Sequence, residues 1–408
     1  MRLHPFPAIR PAPELASRVA AVPYDVVDRD EAAELARGNP HSFLHVGRSD
    51  IDLPADTDPH DPEVYAGARA ALEKFIAQGT LVRDREPSLY LYRQIMDGRT
   101  QVGVVGCVHV DDYENDVIRK HEKTRPDKED DRTRHVLTLN AHAEPVFLTY
   151  RGEHRVNQLT SDITRTEPLY DFTAPDGVRH TVWRIFDSRA LVQAFEAVPT
   201  AYVADGHHRS ASAWRAGKER RAANNRHRGD EEYNWFLAVL FPADQLTILP
   251  YNRVVRDLAG KTPADVLREL ASVGRLGRTD DPRPSRPGSF CVYLEGVWHR
   301  LELDPGSIDR SDPIGSLDVS LLQDRVLGPI LQVGDPRTDK RLEFVGGIRG
   351  TRELERRVKS GDMAIAFSLY PTTMEQLIAV SDAGKVMPPK STWFEPKLRS
   401  GLFVHELG

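Results

Sequence analysis

Cysteine is almost absent from this chain: there are two in 408 residues, Cys107 and Cys291, each inside an apolar, strand-like run. That excludes a disulfide framework and a cysteine-based metal site, and leaves two buried thiols in a reducing compartment as the expectation. No cysteine and histidine set has zinc spacing, and the adjacent His207 and His208 cannot readily share one ion. Long apolar runs are also missing, none approaching the roughly 18–20 residues that span a bilayer. Met1-Arg2-Leu3-His4-Pro5 leads into a proline-rich stretch, not into the apolar core of a secretion signal. Positive charge is not in surplus either: the net charge is −6, so the molecule as a whole has no attraction for nucleic acid. A cytoplasmic protein is expected, with neither membrane nor nucleic acid as a partner.

Two nucleotide-binding motifs are incomplete. Gly260-Lys261-Thr262 has the end of a Walker A loop, but the glycine required five positions earlier is Val255. Thr262 before Pro263 and Asp265 reads instead as a helix N-cap with proline in the first turn. Gly103 and Gly106 lie within an apolar strand and lack the third glycine and following helix of a dinucleotide fingerprint.

What remains is a soluble globular composition, 40% hydrophobic and 28% charged, in a chain long enough for two domains. Asp28 predicts a helix cap before Glu31–Ala36, and Glu63–Gln78 has helical spacing with Tyr65, Ala68, Leu72 and Phe75 on one face. Leu89–Ile95 and Gln101–Val110 flank Asp97-Gly98, a strong hairpin signal. Further strands are expected at 145–150, 181–186, 237–241, 290–294, 299–303 and 363–369, and helices at 136–140, 263–273 and 319–327. This mixture, without internal repeat, predicts an α/β or α+β protein.

The richest segment is Tyr202-Val203-Ala204-Asp205-Gly206-His207-His208-Arg209-Ser210. An apolar strand ends in an acid and a glycine, and a helix follows, which we read with Ser210 at its cap. A helix N-terminus offers unpaired amides and the positive end of the dipole, a phosphate-sized anion site to which Arg209 adds a bidentate donor. The competing reading makes Asp205 a helix cap and the histidines ordinary hydrogen-bonding residues; packing alone does not require the whole set.

Asp205-Gly206-His207-His208-Arg209 resembles the Asp-Gly-His-x-Arg signature of free L-serine kinases, members of the ParB/sulfiredoxin-like superfamily. The chain as a whole is similar to a large bacterial family of uncharacterised proteins sharing this motif, also through Pro23–Val27, His121-Glu122-Lys123-Thr124, Asp131-Arg132 and Met387–Leu402. The resemblance implies a ParB/sulfiredoxin-like catalytic region over 1–250 and a second α/β region over 251–408 whose tail returns to the site. It implies a phosphotransferase making O-phospho-L-serine from ATP, ADP or diphosphate, with Mg2+. The same turn would also serve a ParB-like nucleotide-binding switch or a small-phosphoester hydrolase.

Residue types then suggest roles. Glu122 is the first choice for general base, with Asp205 as competitor or as Mg2+ ligand. His207 or His208 would contact the transferred group. Gly206, Arg209 and Ser210, with His121, Lys123, Thr124 and Arg132, would hold the donor phosphates. The charge-dense stretch around residues 117–134 has a competing reading as a solvated face. Lys390, Ser391 and Thr392, in a segment ending at Lys397, could grip a phosphate or form only a turn after Pro388-Pro389. Tyr24 and Asp25 form either a turn or a substrate-facing pair in which the acid meets an ammonium group. The helix after the motif is basic, from Arg215 to Arg228, but aromatic interleaving stops at Trp214, so a solvated face or an anion-attracting rim is expected.

Overall fold

The computed structural model describes all 408 residues and divides into two compact units, Met1–Leu246 with Pro396–Gly408, and Thr247–Glu395. The change of unit falls between Leu246 and Thr247, and residues 396–408 belong with the first unit.

The first unit is built on a nine-stranded mixed sheet. In chain order its strands are β1 (Leu3–His4), β2 (Leu89–Met96), β3 (Arg99–His109), β4 (Ile118–Arg119), β5 (Val146–Tyr150), β6 (Tyr170–Thr173), β7 (Arg179–Ile185), β8 (Ala201–Asp205) and β9 (Trp235–Pro242). They lie in the order β4-β8-β5-β9-β3-β2-β7-β6, with β1 pairing β3. β8 runs parallel to β4 and β9 parallel to β5; the other pairs are antiparallel. The β2–β3 hairpin turns at Asp97 and Gly98 with φ of 50° and 76°, the double positive φ that matches strand twist.

The central strands are buried on both faces. Leu89, Leu91, Val104, Val108, Phe236 and Leu240 join one core cluster, while Tyr90, Tyr92, Val105 and Cys107 are buried on the other side. Gly106 belongs to that packing, since a Cβ there would lie 2.6 Å from Leu89 Cδ2 and 2.8 Å from Leu3 Cδ1.

Three helices matter for the site. α1 (Pro62–Ala77) buries Tyr65, Ala68, Leu72 and Phe75, as the spacing predicts, behind an Asp61 cap. α2 (Pro126–Leu139) starts well before the helix expected at 136–140, with Pro126 in its first turn, and ends on Asn140 at φ 53°. It buries mostly polar side chains, Asp131, Thr133 and His135, so no apolar stripe announces it. α2 packs along α3 (His207–Ala223).

The second unit carries six antiparallel strands, β10 (Tyr251–Val255), β11 (Arg275–Arg278), β12 (Ser289–Leu294), β13 (Val297–Glu302), β14 (Leu342–Gly346) and β15 (Ile365–Leu369), in the order β11-β13-β12-β15-β10-β14. Thr262 caps the helix Pro263–Val273 in a reciprocal capping box with Asp265. Cys107 and Cys291 are buried free thiols, and no helix is long and apolar enough to cross a membrane.

Asp84 ties the first unit together. Its buried carboxylate accepts from Arg10 Nη2 at 2.8 Å, Arg184 Nη1 at 2.9 Å and the Tyr90 hydroxyl at 2.5 Å. Asp84→Ala leaves two largely buried guanidinium groups without their counter-charge. We expect it to cost about 3–5 kcal/mol in urea-induced unfolding; a loss below about 1 kcal/mol would show that the network is dispensable.

Candidate functional site

β8 sits between β4 and β5 and ends at Asp205. Gly206 then takes φ 94° and ψ 37°, and α3 begins at His207. A side chain at 206 would be strained by that φ and would place its Cβ 3.1 Å from the Arg209 guanidinium. Gly206, not Ser210, is therefore the helix cap, which corrects the sequence reading. Ser210 is buried one turn inside: its N–H donates to the Gly206 carbonyl at 2.9 Å and its hydroxyl to the same oxygen at 3.1 Å. Its amide is spent on the helix. Because Gly206 has no capping side chain, the first-turn amides keep the anion-binding character of a helix N-terminus.

Two cations hold Asp205. Arg209 Nη2 and Lys397 Nζ each lie 3.4 Å from its Oδ2. Burial would raise this carboxyl, but the cations Lys397 and Arg209 outweigh it and bring it down to about 2. Asp205 keeps 28% side-chain exposure, so it remains within reach of a ligand. Arg209 was expected to point at an external phosphate. Instead it is buried, donates through Nη1 to the Pro145 carbonyl, and serves Asp205. Lys397 stands on a tied-down tail: its carbonyl accepts from Gln94 at 2.8 Å, and Ser400 pairs with Ala21 through the backbone.

Beside the turn lie His121 and His207, rings edge to face at 4.4 Å and 87°. Both are buried, and burial brings His121 down to about 4 and His207 well below its usual value. The Val203 backbone opposes the His121 shift, yet neither of its ring nitrogens has a hydrogen-bond partner of good geometry; His207 Nε2 has none either. His207 Nδ1 is 3.8 Å from Glu122 Oε2, and the Glu122 side chain is 43% exposed. His208 is differently employed: its Nε2 accepts the Arg125 backbone N–H at 3.1 Å, joining the starts of α2 and α3. Lys123 is exposed, and the Thr124 hydroxyl is spent on Glu129.

A second charged group lies behind Arg209. Arg132 donates to Asp131 at 2.7 Å and stacks on Tyr24 at 4.1 Å from the ring centroid. It is thus a structural partner of Tyr24 and Asp131. Asp25 is exposed, and its charge acts on His208 and Arg209. Glu144 escaped the sequence reading. Its Oε1 accepts from the Ser400 hydroxyl at 3.1 Å and from the Tyr24 N–H at 3.4 Å, and burial raises its carboxyl against Arg209 and Arg132. The available signal was an acid directly before Pro145 and the apolar β5, the mirror of Asp205 at the end of β8. Arg132, Glu144 and Arg209 share the lining of an internal space of about 20 Å3, room for one water.

Lys390, Ser391 and Thr392 belong to the second unit. Ser391 is buried, its hydroxyl donating to the Pro388 carbonyl at 2.7 Å and its own carbonyl accepting from Thr372 at 2.9 Å. No three histidine, cysteine or acidic side chains converge to hold a metal ion. The basic face of α3 is largely neutralised: Arg215 pairs Glu129 and Asp130, Lys218 pairs Glu114, and Arg221 pairs Asp111.

The buried histidines make stability pH-dependent. His121 (about 4), His135 and His142 (both about 3) stay neutral when folded, but each takes a proton near 6.5 when unfolded. Between those values the unfolded chain binds more protons, so stability falls as pH drops. The urea midpoint should fall from pH 7 to pH 5, and His121→Leu should make that fall shallower; an unchanged slope would show that His121 does not contribute.

Among solved structures, the chain is similar to a free serine kinase mutant in complex with AMP, at 12% identity and TM-score 0.37 over 73% of this chain and 91% of that one. It is also similar to C-terminally truncated SbnI from Staphylococcus aureus, at 14% and 0.39 over 74% and 87%. A conserved hypothetical protein from Pyrococcus furiosus gives 13% and 0.35 over 74% and 95%. Likeness this distant carries no functional argument. No curated protein matches the sequence. The family model described as "Protein of unknown function (DUF1015)" matches residues 3–320, from β1 through the Asp205 turn and into the second unit, and the chain belongs to that family.

Proposed function

We propose that this protein is a small-molecule phosphotransferase, specifically a free L-serine kinase that forms O-phospho-L-serine from ATP, ADP or diphosphate. One observation carries the reading: an ionised Asp205, paired with Lys397 and Arg209, stands at the N-terminus of α3, where no side chain caps the amides, with the half-exposed Glu122 beside His207. Phosphoryl transfer is mostly positioning and charge neutralisation, and this turn has the parts for both. The choice of L-serine comes from the likeness of Asp205–Arg209 to the kinase signature.

In this reading the donor phosphates rest on the first-turn amides of α3, with Lys397 as the nearby cation and Arg209 keeping Asp205 ionised and in place. Glu122 takes the proton of the serine hydroxyl as its oxygen attacks phosphorus and the bond to the leaving phosphate or nucleotide breaks. His207, neutral and buried, limits how Glu122 can move. Asp25, exposed near His208 and Arg209, is available for the substrate ammonium group. Asp205 is the residue that would hold Mg2+, since no cluster of three ligating side chains is present. When bound it would neutralise charge on the donor phosphates.

The test is direct. Purified protein is mixed with L-serine, Mg2+ and each of ATP, ADP and diphosphate, and O-phosphoserine is followed by 31P NMR. We expect product with at least one donor, and Glu122→Gln to lower kcat by about 10²–10⁴-fold with little change in donor binding. Donor binding without transfer to serine would instead indicate a nucleotide-binding switch. Phosphate release from phosphoserine without forward transfer would indicate a hydrolase.

A further inference from the structure

The second unit contains an arginine that the proposed reaction does not use. Arg253, in β10, is 3% exposed and forms no ion pair. Its Nη1 donates to the Tyr251 carbonyl at 2.6 Å and its Nη2 to the Pro389 carbonyl at 3.3 Å, while the guanidinium lies 4.6 Å from the centroid of the Phe344 ring. Burial pushes it down to about 9, opposed only by Tyr251, with no carboxylate to restore it. A cation taken out of water without a counter-charge is costly, and two carbonyl dipoles offset only part of that cost.

The residue following Pro389 is a second cation without an acid. Lys390 is exposed, with its Nζ 5.6 Å from the centroid of the Tyr251 ring and no ion pair. Its backbone sits at φ 56°, a conformation a non-glycine residue holds only when its surroundings impose it. Here they do: Arg253 holds the Pro389 carbonyl, Ser391 holds the Pro388 carbonyl, and Thr372 holds the Ser391 carbonyl at 2.9 Å. Tyr251 also packs edge-on against Trp393 at 5.1 Å, and the Trp393 indole N–H donates to Glu395 at 2.8 Å. Glu395, the acid in this segment, is therefore engaged with the indole rather than with Arg253 or Lys390.

We propose that Arg253 and Lys390 form an oxyanion site in the second unit, with the strained Pro389–Ser391 turn presenting Lys390 to a phosphate-bearing small molecule. Lys390 meets the anion as a point charge, and Arg253 supplies the positive potential beneath the turn. This inference does not depend on the kinase reading, since it uses no residue of the Asp205 turn.

The experiment uses the full-length protein with inorganic phosphate and diphosphate as probes, read by calorimetric titration and by the shift of the thermal unfolding midpoint. Wild type should bind and be stabilised by at least one probe. Lys390→Gln should raise the dissociation constant about tenfold or more, and Arg253→Met should abolish the shift while leaving the ligand-free midpoint equal or higher. The variants are compared in a Lys397→Gln background, which removes the cation of the donor site at α3, so that the response read is that of the second unit. The proposal is overturned if neither probe shifts wild type, or if Lys390→Gln responds as wild type. Should Arg253→Met fail to fold, the exposed Lys390 decides the matter alone.

Discussion

The ion triad of Asp205, Arg209 and Lys397 is the constraint on which the site depends. A carboxylate at the end of a buried strand pays a large desolvation cost, and only close cations make its ionised form tenable. The two cations come from different parts of the chain, one from the first turn of α3 and one from the C-terminal tail. Each arm requires a local device. Gly206 provides the left-handed turn and the bare Cα on which the Arg209 guanidinium lies. The tail needs Gln94 and the Ala21–Ser400 bridge to bring Lys397 into place.

The same economy explains the histidines. His121 and His207 pack edge to face; burial keeps both neutral, and the neighbouring His121 lowers His207 further. Three of their ring nitrogens have no hydrogen-bond partner of good geometry, and the fourth, His207 Nδ1, lies 3.8 Å from the half-exposed Glu122. Polarity there is retained at a cost in stability, a pattern more common at functional sites than in plain cores. Glu144 is a second, half-buried acid near Arg209, balanced by Arg209 and Arg132 and anchored by Ser400.

Arg209 and Arg253 make an instructive contrast. Both are buried and both donate to backbone carbonyls, but Arg209 also faces carboxylates whereas Arg253 faces only aromatic rings and carbonyl oxygens. In the first the protein supplies the counter-charge itself. In the second that charge is left to an external anion.

The sequence by itself determined what depends on neighbours along the chain. The capped helices after Asp28, Asp61 and Thr262, the Asp97-Gly98 hairpin and the apolar strands all follow from local sterics and periodicity. The strand and helix flanking Asp205–Arg209 were readable in the same way, although the cap was not, because Gly206 acts through its φ and leaves no side-chain signature. Only the tertiary structure decided that Arg209 turns inward, that Lys397 reaches Asp205 across 192 positions, and that Glu144 joins Arg132 and Arg209 around one small internal space. Side-chain direction and long-range pairing depend on how sheet, helix and tail close around each other, and no local pattern encodes that closure. α2 shows the limit most plainly: its buried face is polar, so its beginning became visible only once α3 lay against it.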